Sequence, residues 1–313
     1  MNILVTGANG FIGQAVCRDL SLRQFHVLPI VRNSSTIPNA IIIKDEYDPR
    51  WNTLLKECQT VVHLAGRAHV AHDKTPETRA LYMKENVELT LHLAQKAADL
   101  GVKRFVFISS IKVNGEETQS AKSFNPEDAP HPQDVYAESK WLAEQGLMKI
   151  ASTTNLEVVI IRPPLVYGPE VKGNFLTLIK LVKKGLPLPL GEIQNQRSLV
   201  ALDNLSDFIA LCADINASPK AANQVFLVSD GEPVSTGSLI QRIADVYQLK
   251  LRLIPVPVAL LKLLLKLFGK GEAVHRIFGS LKVNDIKARE LLGWRPVVSM
   301  DEQLRKMRDD TMH

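Results

Sequence analysis

"ILVTGANGFIGQAVCRDL", residues 3–20, joins an apolar run to an amphipathic one through three glycines spaced three apart. A short apolar run rich in β-branched residues predicts a buried strand, and the periodicity after it predicts a helix. In that setting Gly7 makes the tight turn, Gly10 lets a pyrophosphate approach the backbone, and Gly13 lets the helix pack close. The phosphates then rest on the helix N-terminus, where free N–H groups and the helix dipole favour anions. The stretch therefore predicts a dinucleotide-binding unit at the head of the chain.

Outward from it, apolar runs recur at 26–31, 40–43, 60–64, 104–109 and 157–162, rich in Val and Ile. Strands buried on both faces read this way, and helical segments fill the gaps between them. The clearest helix spans 78–100, with Leu81, Val87, Leu91, Leu93 and Ala94 marking its apolar side and Gly101 as its stop. Alternating β and α signals predict an α/β fold with a doubly wound parallel sheet of Rossmann type. From about residue 165 the texture changes, and the prolines at 163, 164, 169, 187 and 189 break the chain into short pieces, so a smaller C-terminal substrate-binding lobe is expected. We expect a dinucleotide-binding domain over 1–165, with 197–230 returning to it through "QVFLV" at 224–228, and a lobe from 166–196 and 231–313. A ligand cleft belongs between them, at the carboxyl ends of the strands.

Composition narrows the function. The chain has 313 residues, 45% of them hydrophobic, enough for one large core and a smaller one. Cys17, Cys58 and Cys212 are scattered, so neither disulfides nor a metal site is suggested. With no basic, apolar leader ahead of the first strand, a cytoplasmic location is expected. The net charge of +5 is too diffuse to argue for nucleic acid, though it suits an anionic small substrate. The segment 258–268 is Leu-rich but interrupted by Lys262 and Lys266, too short to span a bilayer. Lys262, Lys266 and Lys270 would form a basic stripe opposite leucines, which admits membrane attachment, but a helix packed on the lobe or on a second subunit is the stronger expectation.

The second strand ends in "LPIVRN", about 20 residues beyond the glycines, where a carboxylate would hold the ribose hydroxyls of NAD. Arg32 stands there instead and suits a 2′-phosphate, so NADP(H) is favoured and NAD(H) remains possible. Asp45, after the third run, is placed to meet the adenine amine. The chemistry lies in "FVFISSIKVNG" at 105–115 and "VYAESK" at 135–140. Tyr136 and Lys140, one helical turn apart, share a face, so the ammonium can lower the phenol's pKa and make it a general acid or base. Ser110, at a strand end, can hold the same substrate oxygen.

These residues carry a resemblance to the extended short-chain dehydrogenase/reductase family of nucleotide-sugar epimerases, dehydratases and ketoreductases. It covers nearly the whole chain: "TGANGFIG", "VVHLAG" at 61–66, "ENV" at 85–87, Ser110 with Tyr136 and Lys140, "RPPLVYGP" at 162–169, "RSLVALDNLSD" at 197–207 and "LLGWRP" at 291–296. The resemblance implies that Phe11, Ile12, Leu64, Ala65, Gly66 and Pro163 join the cofactor contacts and that Asn86 supports a water or backbone contact behind Lys140. It also implies that Asn174, Arg197 and, more loosely, Arg276 contact the nucleotide diphosphate of a UDP-sugar, and that the chain forms a homodimer.

Within the family, 4,6-dehydratases carry an Asp-Glu pair directly after the residue equivalent to Ser110. Ile111 and Lys112 stand here and cannot supply that acid and base, so dehydration is disfavoured. UDP-galactose 4-epimerases usually carry an Asn in an R-Y-F-N-like stretch and an Asp closing the second strand, where this chain has Leu165 and Arg32. These departures favour reduction of the C4 keto group of a UDP-4-keto-6-deoxy-N-acetylhexosamine, for surface polysaccharide. The alternative is a UDP-sugar 4-epimerase with tightly bound NAD. A non-catalytic dinucleotide sensor is a lower alternative, since sensors of this fold typically lose the Tyr and Lys that are intact here.

Overall fold

The computed structural model describes residues 1–67, 75–119, 122–267, 274 and 277–310. Six strands correspond to the apolar runs: β1 (Asn2–Thr6), β2 (His26–Val31), β3 (Ile41–Ile42), β4 (Thr60–His63), β5 (Arg104–Ile108) and β6 (Glu157–Arg162). Two short strands follow, β7 (Leu165–Tyr167) and β8 (Leu199–Ala201), and then β9 (Gln224–Leu227). The main sheet is fully parallel, in the order β3-β2-β1-β4-β5-β6-β9. Its order reverses between β1 and β4, which opens a crevice at their carboxyl ends. Edge strand β3 is shorter than its apolar run, pairing only over Ile30↔Ile41 and Val31↔Ile42. The chain leaves the sheet early there, and Asp45 begins a turn by accepting from Tyr47 N–H.

Alternate residues of each strand supply two cores, one on each face of the sheet. Ile3, Val5, Val62, Val106 and Val159 pack against Val16 and Leu20 of α1 (Phe11–Leu22) and Phe208 and Ile209 of α7 (Leu202–Ala213). Leu4, Val61, Phe105, Phe107 and Val158 face Leu93 and Ala94 of α4 (Leu89–Asp99) and Ala143 and Leu147 of α5 (Val135–Thr153), with Trp51 and Leu55 of α2 (Arg50–Glu57) beneath the β3 edge.

The helix expected over 78–100 forms in three pieces: α3 (Pro76–Tyr82), a π-helical turn over Met83–Glu88, and α4. Its buried side is Tyr82, Asn86, Thr90, Leu93, Ala94 and Ala97, while Leu81 is exposed. The buried polar residues Asn86 and Thr90 displace the apolar stripe because they have partners in the site.

Beyond β6, β7 and β8 pair as a separate two-stranded sheet. A third core forms around them from Tyr167, Phe175 of α6 (Asn174–Lys183), Ile240 and Ile243 of α8 (Thr236–Val246) and Leu304 of the last helix, Met300–Asp310. Between α8 and that helix lie α9 (Val258–Leu267) and α10 (Ile286–Leu292), so the last becomes α11. Ala288 of α10 and Trp294 pack in the core of the main sheet, where the indole N–H donates to Asp207 at 2.8 Å. No helix among the described residues is long and apolar enough to cross a membrane.

Candidate active site

The crevice holds a cavity of about 580 Å³ lined at one end by Gly7 and Gly10, at the other by Arg32, Asp45 and Glu46, and along its side by Leu64, Ala65, Gly66 and Glu85. Gly7 lies at φ +68°, and a Cβ there would stand 2.7 Å from Ala65 N. A Cβ on Gly13 would stand 2.2 Å from Gly7 O, so the turn, the β4 end and α1 close on one another only through glycine. Gly10 caps α1 with no side chain to occupy the first-turn N–H groups, and a helix N-terminus left open in this way can receive an anionic group such as a pyrophosphate. Phe11 packs against the lobe core and Ile12 against the core under the sheet, each partly buried. Pro163 is buried, its carbonyl accepting from Ile111 N–H at 3.0 Å behind the Ser110 turn.

At the adenosine end, Arg32 does not stand alone. Its guanidinium lies 3.3 Å from Glu85, which is also 3.8 Å from Arg67. The π-helical turn carries both Glu85 and Asn86. Asn86 accepts from Arg67 N–H at 2.7 Å and donates to Arg67 C=O and to the Ser139 hydroxyl, fastening the loop after β4 to α5 beside Lys140. Sequence reasoning missed Glu85, whose partners come from β2 and the β4 loop. It also missed His63, which bridges Thr6 and Thr90 hydroxyls at 2.8 and 3.0 Å. Burial, aided by the Lys140 and Arg32 charges, pushes the His63 pKa down to about 3, so the ring stays neutral. The available signal was a lone His inside the otherwise apolar "TVVH" strand.

Ser110, Tyr136 and Lys140 come together where β5 ends against the first turn of α5. Asp134 caps that helix, accepting from Ala137 N–H at 2.7 Å. The half-buried Tyr136 phenol has its pKa pushed up to about 12, chiefly by desolvation, with a hydrogen bond from Ser110 acting downward and the Asp134 charge upward. Tyr82 packs edge-on against its ring, centroids 6.2 Å apart. The Lys140 ammonium has partners of its own. Helical spacing puts both residues on one face, but the ammonium donates to Ile108 C=O at 2.8 Å and lies over the Phe107 ring. Burial pushes its own pKa down to about 8. At the phenol, the Ser110 hydrogen bond opposes the effect of burial.

Three ion pairs hold this arrangement. Lys112 lies 2.6 Å from Asp134 and 3.0 Å from Glu116, tying the turn after Ser110 to the helix that carries Tyr136. Behind them, fully buried Glu144 receives Arg162 and the Ser109 hydroxyl, and Arg162 also donates to Asn114 at 2.9 Å. Ile111 is buried, so the two positions where dehydratases place carboxylates hold a core residue and a paired lysine.

On the lobe side, Asn174 is exposed at the first residue of α6. Arg197 is more enclosed. It donates to Gly279 C=O at 3.0 Å, and burial moves its pKa down against the opposing Glu117 charge. Arg276 lies outside the described residues.

A glycine turn against a helix N-terminus, beside a Ser-Tyr-Lys cluster whose lysine is buried, defines an enzyme of dinucleotide-dependent alcohol and carbonyl chemistry. Residues 3–226 match the family model described as the NAD dependent epimerase/dehydratase family, and the chain belongs to that family. It is an NAD(P)-dependent nucleotide-sugar enzyme of epimerase or reductase type. It is similar to a UDP-glucose 4-epimerase of Vibrio cholerae, 44% identical over 306 residues, covering 96% of this chain and 92% of that one. A GDP-6-deoxy-D-mannose reductase of Pseudomonas aeruginosa is 26% identical over 320 residues, covering 98% and 96%. Among solved structures, UDP-glucose 4-epimerase of Thermotoga maritima with UDP-glucose superposes with a TM-score of 0.78 at 25% identity, covering 100% of both chains.

Proposed function

We propose that this chain is a UDP-sugar 4-epimerase. The observation that carries the reading is the 44% identity to the Vibrio cholerae epimerase, which extends over 96% of the chain and so includes the lobe as well as the dinucleotide-binding sheet. This identity supports epimerisation over the ketoreduction favoured by Leu165 and Arg32. Both departures weaken in their surroundings: Leu165 is 46% exposed, and the Arg32 charge is answered by Glu85.

In this reading the Gly7–Gly13 turn and the first N–H groups of α1 hold the pyrophosphate, Asp45 and Arg32 border the adenosine, and Leu64 to Gly66 and Lys140 border the nicotinamide end. Asn174 and Arg197 meet the UDP diphosphate. The bound dinucleotide supplies a hydride acceptor and donor. Tyr136 Oη takes the proton of the sugar's C4 hydroxyl and later returns one to the C4 oxygen, Ser110 holds that oxygen in line, and Lys140 balances the charge on the phenolate. Rotation of the 4-keto sugar between the two steps presents its other face. We propose NAD as the resident dinucleotide, since a 2′-phosphate beside Arg32 would also meet the Glu85 carboxylate.

The test incubates the purified protein with UDP-glucose or UDP-N-acetylglucosamine, without added cofactor, and follows C4 configuration by NMR. The protein's acid extract is analysed for its dinucleotide. The expected result is the C4 epimer, with NAD in the extract. No epimer, together with stoichiometric NADPH oxidation on a UDP-4-keto-6-deoxy-N-acetylhexosamine, would establish the ketoreductase instead. That second reading retains one specific support, Arg32 at the end of β2.

A further inference from the structure

The lobe ends in a surface whose composition differs from the rest of the molecule. Residues 180–191 and 249–267 contain seven Lys or Arg and no Asp or Glu. The whole chain has 38 cationic against 33 acidic residues, so what remains outside these two segments, 31 against 33, is slightly acidic. The entire positive balance of the protein is thus concentrated in two short stretches.

The fold brings those stretches side by side. Leu188 N–H donates to Arg252 C=O, Ile254 N–H to Leu188 C=O and Gly191 N–H to Ile254 C=O, at 2.8–3.1 Å. Pro257 then starts α9, its carbonyl accepting from Leu260 N–H. Lys180, Lys183 and Lys184 on one stretch and Lys250, Arg252 and Lys262 on the other are all exposed. Between these cations the same tip exposes Leu186 (56%) and Ile254 (45%).

Helix α9 adds an outward apolar face. Leu260, Leu263 and Leu267, at i, i+3 and i+7, share one side and are 48%, 55% and 72% exposed. Lys262, on the opposite side, lies 5.8 Å from the Phe278 ring. A helix that merely covers the lobe would turn its leucines inward. This one turns Leu260, Leu263 and Leu267 out, at the edge of a cationic surface.

We propose that this tip is a peripheral docking surface for an anionic lipid bilayer. The leucines of α9, with Leu186 and Ile254, would enter the boundary between headgroups and acyl chains, while the flanking lysines and Arg252 pair with lipid phosphates. Charge decides the occupant. A purely apolar face would suit a second copy of this chain, but two tips of like charge repel at the contact, whereas an anionic surface attracts each of them. α9, Val258–Leu267, is too short to span a bilayer, so it would lie at the surface. The proposal does not depend on which C4 reaction the enzyme performs.

The test is flotation of the full-length protein with vesicles of phosphatidylcholine alone or mixed with phosphatidylglycerol, at low and high salt. The expected result is co-flotation with the anionic vesicles only, lost at high salt. L263Q/L267Q and K250E/R252E should each reduce the bound fraction by about tenfold or more. These surface residues lie outside the proposed catalytic site, so the variants should keep wild-type circular dichroism and turnover of soluble UDP-sugar. Wild-type protein that stays at the bottom of the gradient with anionic vesicles overturns the proposal. So does a wild-type dimer, by light scattering, that L263Q/L267Q converts to monomer without changing flotation, since α9 would then be a contact between subunits.

Discussion

Tyr136 sits in an environment that works against its own ionisation, and three neighbours set how far. Burial raises its pKa, Ser110 opposes that by hydrogen bonding, and the Asp134 carboxylate adds to it. Lys112, 2.6 Å from Asp134, neutralises part of that carboxylate's field. A phenol must lose its proton to accept the C4 hydroxyl proton, so lowering its pKa moves the rise of the oxidation half-reaction to lower pH. Asp134→Asn keeps a side-chain oxygen for the α5 cap while removing the charge. It should shift the apparent pKa in the pH profile of kcat/KM downward, and Ser110→Ala should shift it upward. Tyr136→Phe should lose ~10²–10⁴ in rate with dinucleotide affinity nearly unchanged, because only the proton is removed. Shifts of the same sign in the two pKa variants, or near-normal turnover by the phenylalanine variant, would assign the acid and base elsewhere. At this scale the sequence was legible where one short motif holds all the parts, as at Gly7, Gly10 and Gly13. It was silent where partners converge from distant segments, as at Glu85 and His63.

Element by element, the strands were the most readable feature. Runs of Val and Ile, with both faces covered, leave few alternatives to a buried parallel strand. The helix over 76–99 was less so. Its exposed Leu81 and its buried Asn86 and Thr90 invert the expected pattern, since Asn86 fastens the loop after β4 and Thr90 holds His63. The junction of β5, α5 and β6 depends on a feature no periodicity reveals, the enclosed pair of Glu144 with Arg162. Glu144→Gln leaves the guanidinium without its counter-charge in a dry setting, a loss on the order of 3–5 kcal/mol. The measurement is the denaturation midpoint at unchanged m-value, compared with Glu116→Gln. Glu116 is 38% exposed and its pairing with Lys112 is correspondingly screened. Equal small losses for both variants would mean that the buried pair does not hold the junction.

For the whole molecule, the proposed reaction takes place in one cleft, between the parallel sheet of a dinucleotide-dependent family and a lobe proposed to hold the sugar. The parallel sheet and its crevice were legible early, because alternation of strand and helix permits few topologies. Which C4 reaction takes place was not legible from single positions such as Leu165. Epimerase and reductase share Ser110, Tyr136 and Lys140, and they differ in whether a hydride removed from the sugar is put back. The most direct measurement is therefore the fate of the C4 hydrogen. With UDP-[4-²H]glucose and purified protein, NMR and mass spectrometry should find UDP-galactose still deuterated at C4, because the label leaves and returns within one closed site. No conversion of the labelled sugar, or a product whose C4 hydrogen comes from added NADPH, would contradict the epimerase assignment.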